Sequence, residues 1–337
     1  MVSIIETKDK WMEIVEDMDN HDFYHTYDYH TISKKEGEQP ILFLYTENEY
    51  KIAIPFLKRA IAGTPYHDLT SVYGYAGPIT KNINQTFNNQ KFITNFKNWL
   101  EEEGIISVFS RLHPYFDYQN TLLSGIGEQP VLGKVVNIDL TQNLEEQRRE
   151  YGKSTKNRTN KCRRLCTVKL AETDEEINTF IDIYYENMDR LEANKDYYFS
   201  RQYFFDFLKC TDFKTDILLV NHVEDTTTVA ASMFVKTGNM VQFHLSGSKT
   251  DYLSIAPANL FLDEMRIRAT EEGYTYFNLG GGLGSKEDSL FNFKASFSKN
   301  HKEFAVWKYI ANQTVYDDLS HKTAKTNTDF FPLYRAN

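Results

Sequence analysis

The residues with the strongest chemical character lie late in the chain, in the run Asn278-Leu-Gly280-Gly281-Gly282-Leu-Gly284-Ser-Lys-Glu287-Asp288-Ser-Leu290-Phe-Asn-Phe293-Lys294-Ala-Ser-Phe297. Leu290, Phe293 and Phe297 recur at helical spacing with Lys294 among them, so a lysine stands on the apolar face of a short helix. Its ammonium either snorkels to water along its own stem or is aimed into a cleft above the glycine turn. Asp288 is the expected N-cap of that helix. The glycines let the backbone leave the preceding strand, Tyr274 to Leu279, through conformations closed to other residues. A cation and open backbone amides at such a turn suit acyl transfer to an amine, which needs a deprotonated nucleophile and donors for a developing oxyanion. Glu287 or Asp288 are candidates to take the proton, although capping explains Asp288 more economically.

Other chemistries find no support. No G-x-x-x-x-G-K-[ST], H-E-x-x-H or G-x-S-x-G occurs, and the glycines at 280–284 do not make G-x-G-x-x-G. Cys162, Cys166 and Cys210 are an odd count, the first two spaced C-x3-C with no histidine cluster, so neither a disulfide framework nor a metal site is expected. The formal net charge of −9 argues against DNA as a partner and against wholesale coating by nucleic acid. No basic leader or long apolar run appears, which predicts a cytoplasmic protein without a membrane span, its membrane association at most peripheral.

The elements that must position Lys294 are legible as a repeat. A chain of 337 residues is expected to form two domains, here 1–145 and 146–337. Residues 7–36 read as helical, with an aromatic stretch at Phe23 to Tyr29 that is either a sugar platform or core. A hairpin over 41–57, a strand over Ser71–Ile79, a helix closing at Gly104 and a strand from Ile105 follow. The order recurs with helices at about 174–191 and 200–210, strands at 217–223, 229–236 and 240–246, and a helix closing at Gly273 before the strand from Tyr274. The two glycines are 169 residues apart, as if one αβ unit were used twice. Between the halves, Arg148 to Lys169 carries nine cations and one acid, either a solvated helix face or a grip on a phosphate-bearing ligand.

At Asn278-Leu-Gly-Gly-Gly and Phe293-Lys294-Ala-Ser-Phe297 the sequence resembles the Fem family of non-ribosomal peptidyltransferases. The likeness extends through the basic stretch, Tyr184 to Arg190, Tyr197 to Phe204, and Ser246-Gly-Ser248 with Ala256-Pro257. It implies an α/β fold of two tandem GNAT-like domains, each a mixed twisted sheet flanked by helices. It implies aminoacyl transfer from aminoacyl-tRNA to an amine of a nucleotide- or lipid-linked cell-wall precursor, with no tightly bound cofactor. By the resemblance Lys294 is catalytic, Phe293 is its partner in the site, Arg190 and Tyr203 line the acceptor channel, and Lys34 or Lys35 grips acceptor phosphate. Asn278, Gly281 and Arg111 complete the expected substrate-binding set. At Ser254-Ile255 the family leads one to expect an aromatic, which leaves donor or acceptor open to difference. The alternative is an acyl-CoA-dependent N-acyltransferase acting on an amino sugar of an envelope glycan, against which Ser246 to Ala258 lacks the Arg/Gln-x-x-Gly-x-Gly/Ala pyrophosphate loop.

Overall fold

The structure is a computed structural model and describes residues 1–84, 86–321 and 328–336. Two compact units make up the chain, Met1–Leu132 with Glu303–Asn337, and Gly133–Lys302. The boundary expected at 145/146 is thereby corrected at both ends, for a reason visible in strand pairing. The strand Val131–Asp139 pairs antiparallel with Tyr276–Gly280 of the second unit, whereas the last strand, Asn300–Ile310, pairs antiparallel with Ile105–Arg111 of the first.

The first unit contains β1 (Val2–Ile5), α1 (Lys8–Asp17), α2 (Tyr27–Ser33), β2 (Glu38–Glu47), β3 (Tyr50–Ala60), β4 (His67–Thr70), β5 (Ile79–Lys81), α3 (Gln90–Glu102), β6 (Ile105–Arg111) and α4 (Tyr118–Leu122). Its strands run β1-β2-β3-β4-β6 and then the last strand, with β5 beside β3. The helical region expected over 7–36 is broken after Met18 and again by a 3-10 turn at Phe23–His25 capped by Asp22. Phe23, Tyr24 and Tyr29 are buried, so the aromatic stretch is core. Ser71–Pro78, expected as strand, is a loop. Gly74 adopts a φ of +126° there, and a Cβ at that position would stand 2.1 Å from the Tyr24 ring.

The second unit contains β7 (Val131–Asp139), α5 (Leu144–Arg149), α6 (Lys153–Leu165), β8 (Cys166–Leu170), α7 (Asp174–Arg190), α8 (Arg201–Lys209), β9 (Lys214–His222), β10 (Thr228–Thr237), β11 (Met240–Ser248), α9 (Pro257–Glu271), β12 (Tyr276–Gly280) and α10 (Ser289–Ala295). Its strands run β7-β12-β11-β10-β9-β8. Pro257 opens α9 at a position where a missing N–H costs nothing, and Leu260, Phe261, Met265 and Ala269 bury one side of that helix against Phe234, Val241, Phe277 and Leu279 of the sheet. A parallel strand pair joined through a helix occurs in both units, β4 to β6 through α3 and β11 to β12 through α9. The two units thus share one αβ order, each a mixed sheet flanked by helices.

Candidate active site

The two parallel strands of the second unit part company soon after they meet. They pair only at Met240 with Tyr276, Val241 with Phe277 and Gln242 with Asn278. Beyond that point β11 runs on to Ser248 against β10 alone, while β12 turns away through Gly280, leaving a notch between the strands. Inside the notch β11 is irregular. Phe234 faces Phe243 but Met233 faces Leu245, so His244 is the extra residue of a β-bulge. Phe243, His244, Leu245 and Ser246 are half-buried where Val241 and Gln242 before them and Gly247 and Ser248 after them are buried. The strand is therefore less closely covered here than on either side.

Lys294 enters the same place from α10. The Asp288 carboxylate accepts the Phe291 N–H at 2.9 Å with one oxygen and the Leu283 N–H at 3.0 Å with the other, capping the helix and tethering the loop before it. The Lys294 side chain is buried at 8% exposure, and its Nζ donates to the Gly281 carbonyl at 2.7 Å. Nζ also stands 5.6 Å from the centre of the Phe243 ring. Of the two readings of this lysine, the snorkelling stem is set aside by that burial. Burial pushes the ammonium down to about 8, and the Asp288 carboxylate opposes the fall.

The triple glycine has three separate uses. Gly280 takes a φ of +76°, and a Cβ there would lie 3.2 Å from the lysine Nζ. A Cβ at Gly281 would meet the Lys134 carbonyl at 2.7 Å, and one at Gly282 the Lys286 carbonyl at 2.1 Å. Asn278, 1% exposed, accepts the Gly280 N–H at 2.9 Å and so holds the turn. The expected helix face needs correction. Leu290 is 42% exposed, and Phe291 is buried together with Lys294. Phe293 turns from the lysine to pack its ring on Phe297, with ring centres 5.4 Å apart.

The remaining expected residues make contacts of their own within each unit. Arg190 donates to the Ser248 carbonyl at 2.8 Å, at the far end of β11. Tyr203 on α8 stacks on Phe199 at 4.5 Å and stands 5.9 Å from Phe207, whose ring in turn stacks on His244 at 5.1 Å. Lys34, Lys35 and Arg111 belong to the first unit, the lysines exposed and the Arg111 guanidinium 5.1 Å over the exposed Tyr73 ring. The basic stretch divides its labour. Arg148 and Arg163 bind the fully buried Asp263 at 3.0 and 2.9 Å alongside Arg266 at 2.9 Å. Lys153, Arg158, Lys161 and Arg164 are exposed on α6. The start of α6 also clamps the end of α10, since the Gly152 N–H donates to the Ser296 carbonyl at 2.8 Å and the Thr155 hydroxyl to the Ser296 hydroxyl at 2.8 Å.

Residues 148–294, which contain this splayed parallel pair and its bulged strand, match the family model described as an acetyltransferase (GNAT) domain. These residues form a GNAT acyltransferase domain. The whole chain is similar in fold to the crystal structure of FemX, with a TM-score of 0.71 and 12% identity over 94% of this chain and 99% of that one. It is also similar to a conserved protein of unknown function from Bacteroides thetaiotaomicron (TM-score 0.57, 11% identity, 92% of this chain and 100% of that one). A third likeness is to the C-terminal domain of a putative lysylphosphatidylglycerol synthetase from Agrobacterium fabrum (TM-score 0.56, 13% identity, 92% and 94% covered). At these identities the likeness is one of fold. No curated protein matches the sequence. Among the described residues of the GNAT domain and the rest of the chain, no helix is long and apolar enough to cross a membrane.

Proposed function

We propose that this acyltransferase is of the Fem type, carrying an aminoacyl group from aminoacyl-tRNA to an amine of a nucleotide- or lipid-linked peptidoglycan precursor in the cytoplasm. The observation that carries the reading is the Lys294 ammonium, buried in the notch with a single carbonyl, that of Gly281, as its hydrogen-bond partner among the described residues. The acceptor amine attacks the carbonyl carbon of the aminoacyl ester, and negative charge develops on the carbonyl oxygen. A pre-positioned donor at that oxygen lowers the barrier by about 2.7–4 kcal/mol. Lys294 has donor directions left over for this role and, with its ammonium lowered to about 8, a proton it can release to the departing ribose oxygen. Arg190 and Tyr203 are assigned to the acceptor, Phe293 to the support of α10, and Lys34 or Lys35 to acceptor phosphate.

The segment after β11 favours charged tRNA over acyl-CoA. No glycine occurs from Lys249 to Ala258, residues Thr250–Ile255 form a 3-10 turn, and Pro257 at the first position of α9 has no N–H to offer a pyrophosphate. The second reading, an acyl-CoA-dependent N-acyltransferase acting on an amino sugar of an envelope polysaccharide, is favoured by the acetyltransferase description of the matched family. Mass spectrometry of products from charged tRNAs and acyl-CoAs, each offered UDP-linked muramyl peptides and amino sugars, decides between them. Turnover with an acyl-CoA and with no charged tRNA overturns the first reading.

A further inference from the structure

Neither reading so far supplies a group to take the proton from the attacking amine, and the carboxylates nearest the lysine are already committed. Asp288 holds two backbone N–H groups, and Glu287 is paired with Lys134 at 3.0 Å. The bulge offers another group. His244 is the residue that the irregularity of β11 inserts between Phe243 and Leu245, in the half-buried window of the notch. Its imidazole stacks on Phe207 with ring centres 5.1 Å apart and planes 25° apart, so α8 fixes the plane of the ring. A regular strand would send residue 244 to one face in step with Gln242, whereas the inserted residue has its direction reset at the place where the neighbouring strand has left.

We propose that His244 is the general base of the acyl transfer, on the acceptor side of the notch opposite Lys294. The inference rests on the acyl-transfer reading of this notch but not on which donor is used. The step balances without any further reactant. The acceptor nitrogen forms its bond to the acyl carbon, the bond from that carbon to the ester oxygen or thioester sulfur breaks, and the proton lost by nitrogen goes to a ring nitrogen of His244. The leaving group takes its proton from Lys294 or water. Burial holds the histidine well below its usual range, so at neutral pH the imidazole is neutral and able to accept. Ionisable groups brought to this strand include Tyr203 from α8, Lys294 from α10, and Arg190 and Glu186 from α7, these last two at its far end, where they hold the Ser248 carbonyl and the Thr250 N–H. β12 contributes the neutral Asn278, and β10 the neutral Ser232 and Met233 beside the bulge and, opposite Val241, Lys236, which is paired with Asp216 and Glu272.

The test compares the full-length wild type with His244→Gln, His244→Phe and His244→Ala. The assay uses whichever of an aminoacyl-tRNA with a UDP-linked muramyl peptide, or acetyl-CoA with an amino sugar, supports wild-type turnover. The expected result is a fall in kcat of about 10²–10⁴-fold for Gln and Phe with KM changed less than threefold. The acidic limb of the kcat/KM profile disappears, and added imidazole partly rescues Ala. His244→Phe keeps an aromatic stack on Phe207, and its melting temperature reports whether the fold survives. The proposal falls if either folded variant keeps more than a third of wild-type kcat, or loses activity with the acidic limb intact and no rescue. Absence of wild-type turnover with both donor classes removes the acyl-transfer reading itself, and this inference with it.

Discussion

At Lys294, one ammonium carries both a cost to the fold and a proposed role in the chemistry. A lysine whose folded pKa of about 8 lies below its unfolded value near 10.4 gives up its proton first in the native state. The unfolded chain therefore binds more protons between these values, and stability rises with pH across that window, while below pH 8 the whole burial penalty remains. Lys294→Met, similar in length and without the charge, is expected to raise stability at pH 7 by up to about 3 kcal/mol. That advantage should shrink toward pH 10, as urea unfolding at the two pH values would register. The same variant should lose at least about a hundredfold in turnover, and wild-type kcat should fall on a basic limb near pH 8 as the cation is lost. A variant that is both less stable at pH 7 and fully active contradicts this account. The sequence exposed the lysine because helical spacing set it among Leu290, Phe293 and Phe297. It misplaced Leu290, which is exposed where Phe291 is buried, because the seven-residue helix is too short for one period to fix which side faces the core.

Element by element, α10 is a short helix whose position depends on its ends. Its start is held by Asp288 and its far end by α6 through Gly152 and Thr155. Asp288→Ala should cost about 1 kcal/mol as a lost cap and lower kcat more than it raises KM, because the lysine loses its register. Asp288→Asn keeps one accepting oxygen for the Phe291 N–H and should retain most of the stability. Equal loss in both variants, read by thermal melting and steady-state kinetics, would mean that charge rather than capping matters. The cap was legible from Asp288 standing before a polar-apolar run, as were α7, α9 and the strands from 214 to 248, whose periods are long and regular. The bulge was not. Val241, Phe243 and Leu245 alternate as cleanly as a flat strand would, and only the register against β10 shows that His244 is one residue too many. The loop at Ser71–Pro78 was misread for a related reason, since its apolar residues pack on buried aromatics without joining a ladder.

For the whole molecule, charge is the property that most separates its two donor readings. The doubled αβ order was readable from elements recurring 169 residues apart, but the exchange of the last strand into the first unit depends on pairing between residues about 200 positions apart, which no local pattern encodes. The basic stretch was visible and its division was not, because Asp263, the acid that engages Arg148 and Arg163, lies about 100 residues later. Burial pushes the Asp263 carboxyl up, yet Arg266, Arg148 and Arg163 outweigh it and hold the group below its usual range. Asp263→Ala leaves three arginines without their shared anion and should cost roughly 3–5 kcal/mol in urea unfolding at neutral pH. Once those arginines are assigned to the fold, and Arg149, Lys156 and Lys169 to Glu145, the Arg149 carbonyl and Glu176, the cations the stretch has left to offer a ligand are Lys153, Arg158, Lys161 and Arg164, in a chain of net charge −9. A charged tRNA donor held by these four would make kcat/KM fall with salt, at roughly 0.7–0.9 logarithmic units per decade for each phosphate contact. Replacing all four with glutamine should therefore flatten that dependence by about three units and raise KM for the charged tRNA, with kcat at saturation little changed because none of the four is given a step in the chemistry. The same slope in the variant and the wild type would take α6 out of donor binding, and a slope near zero in both would move the donor toward a small acyl carrier.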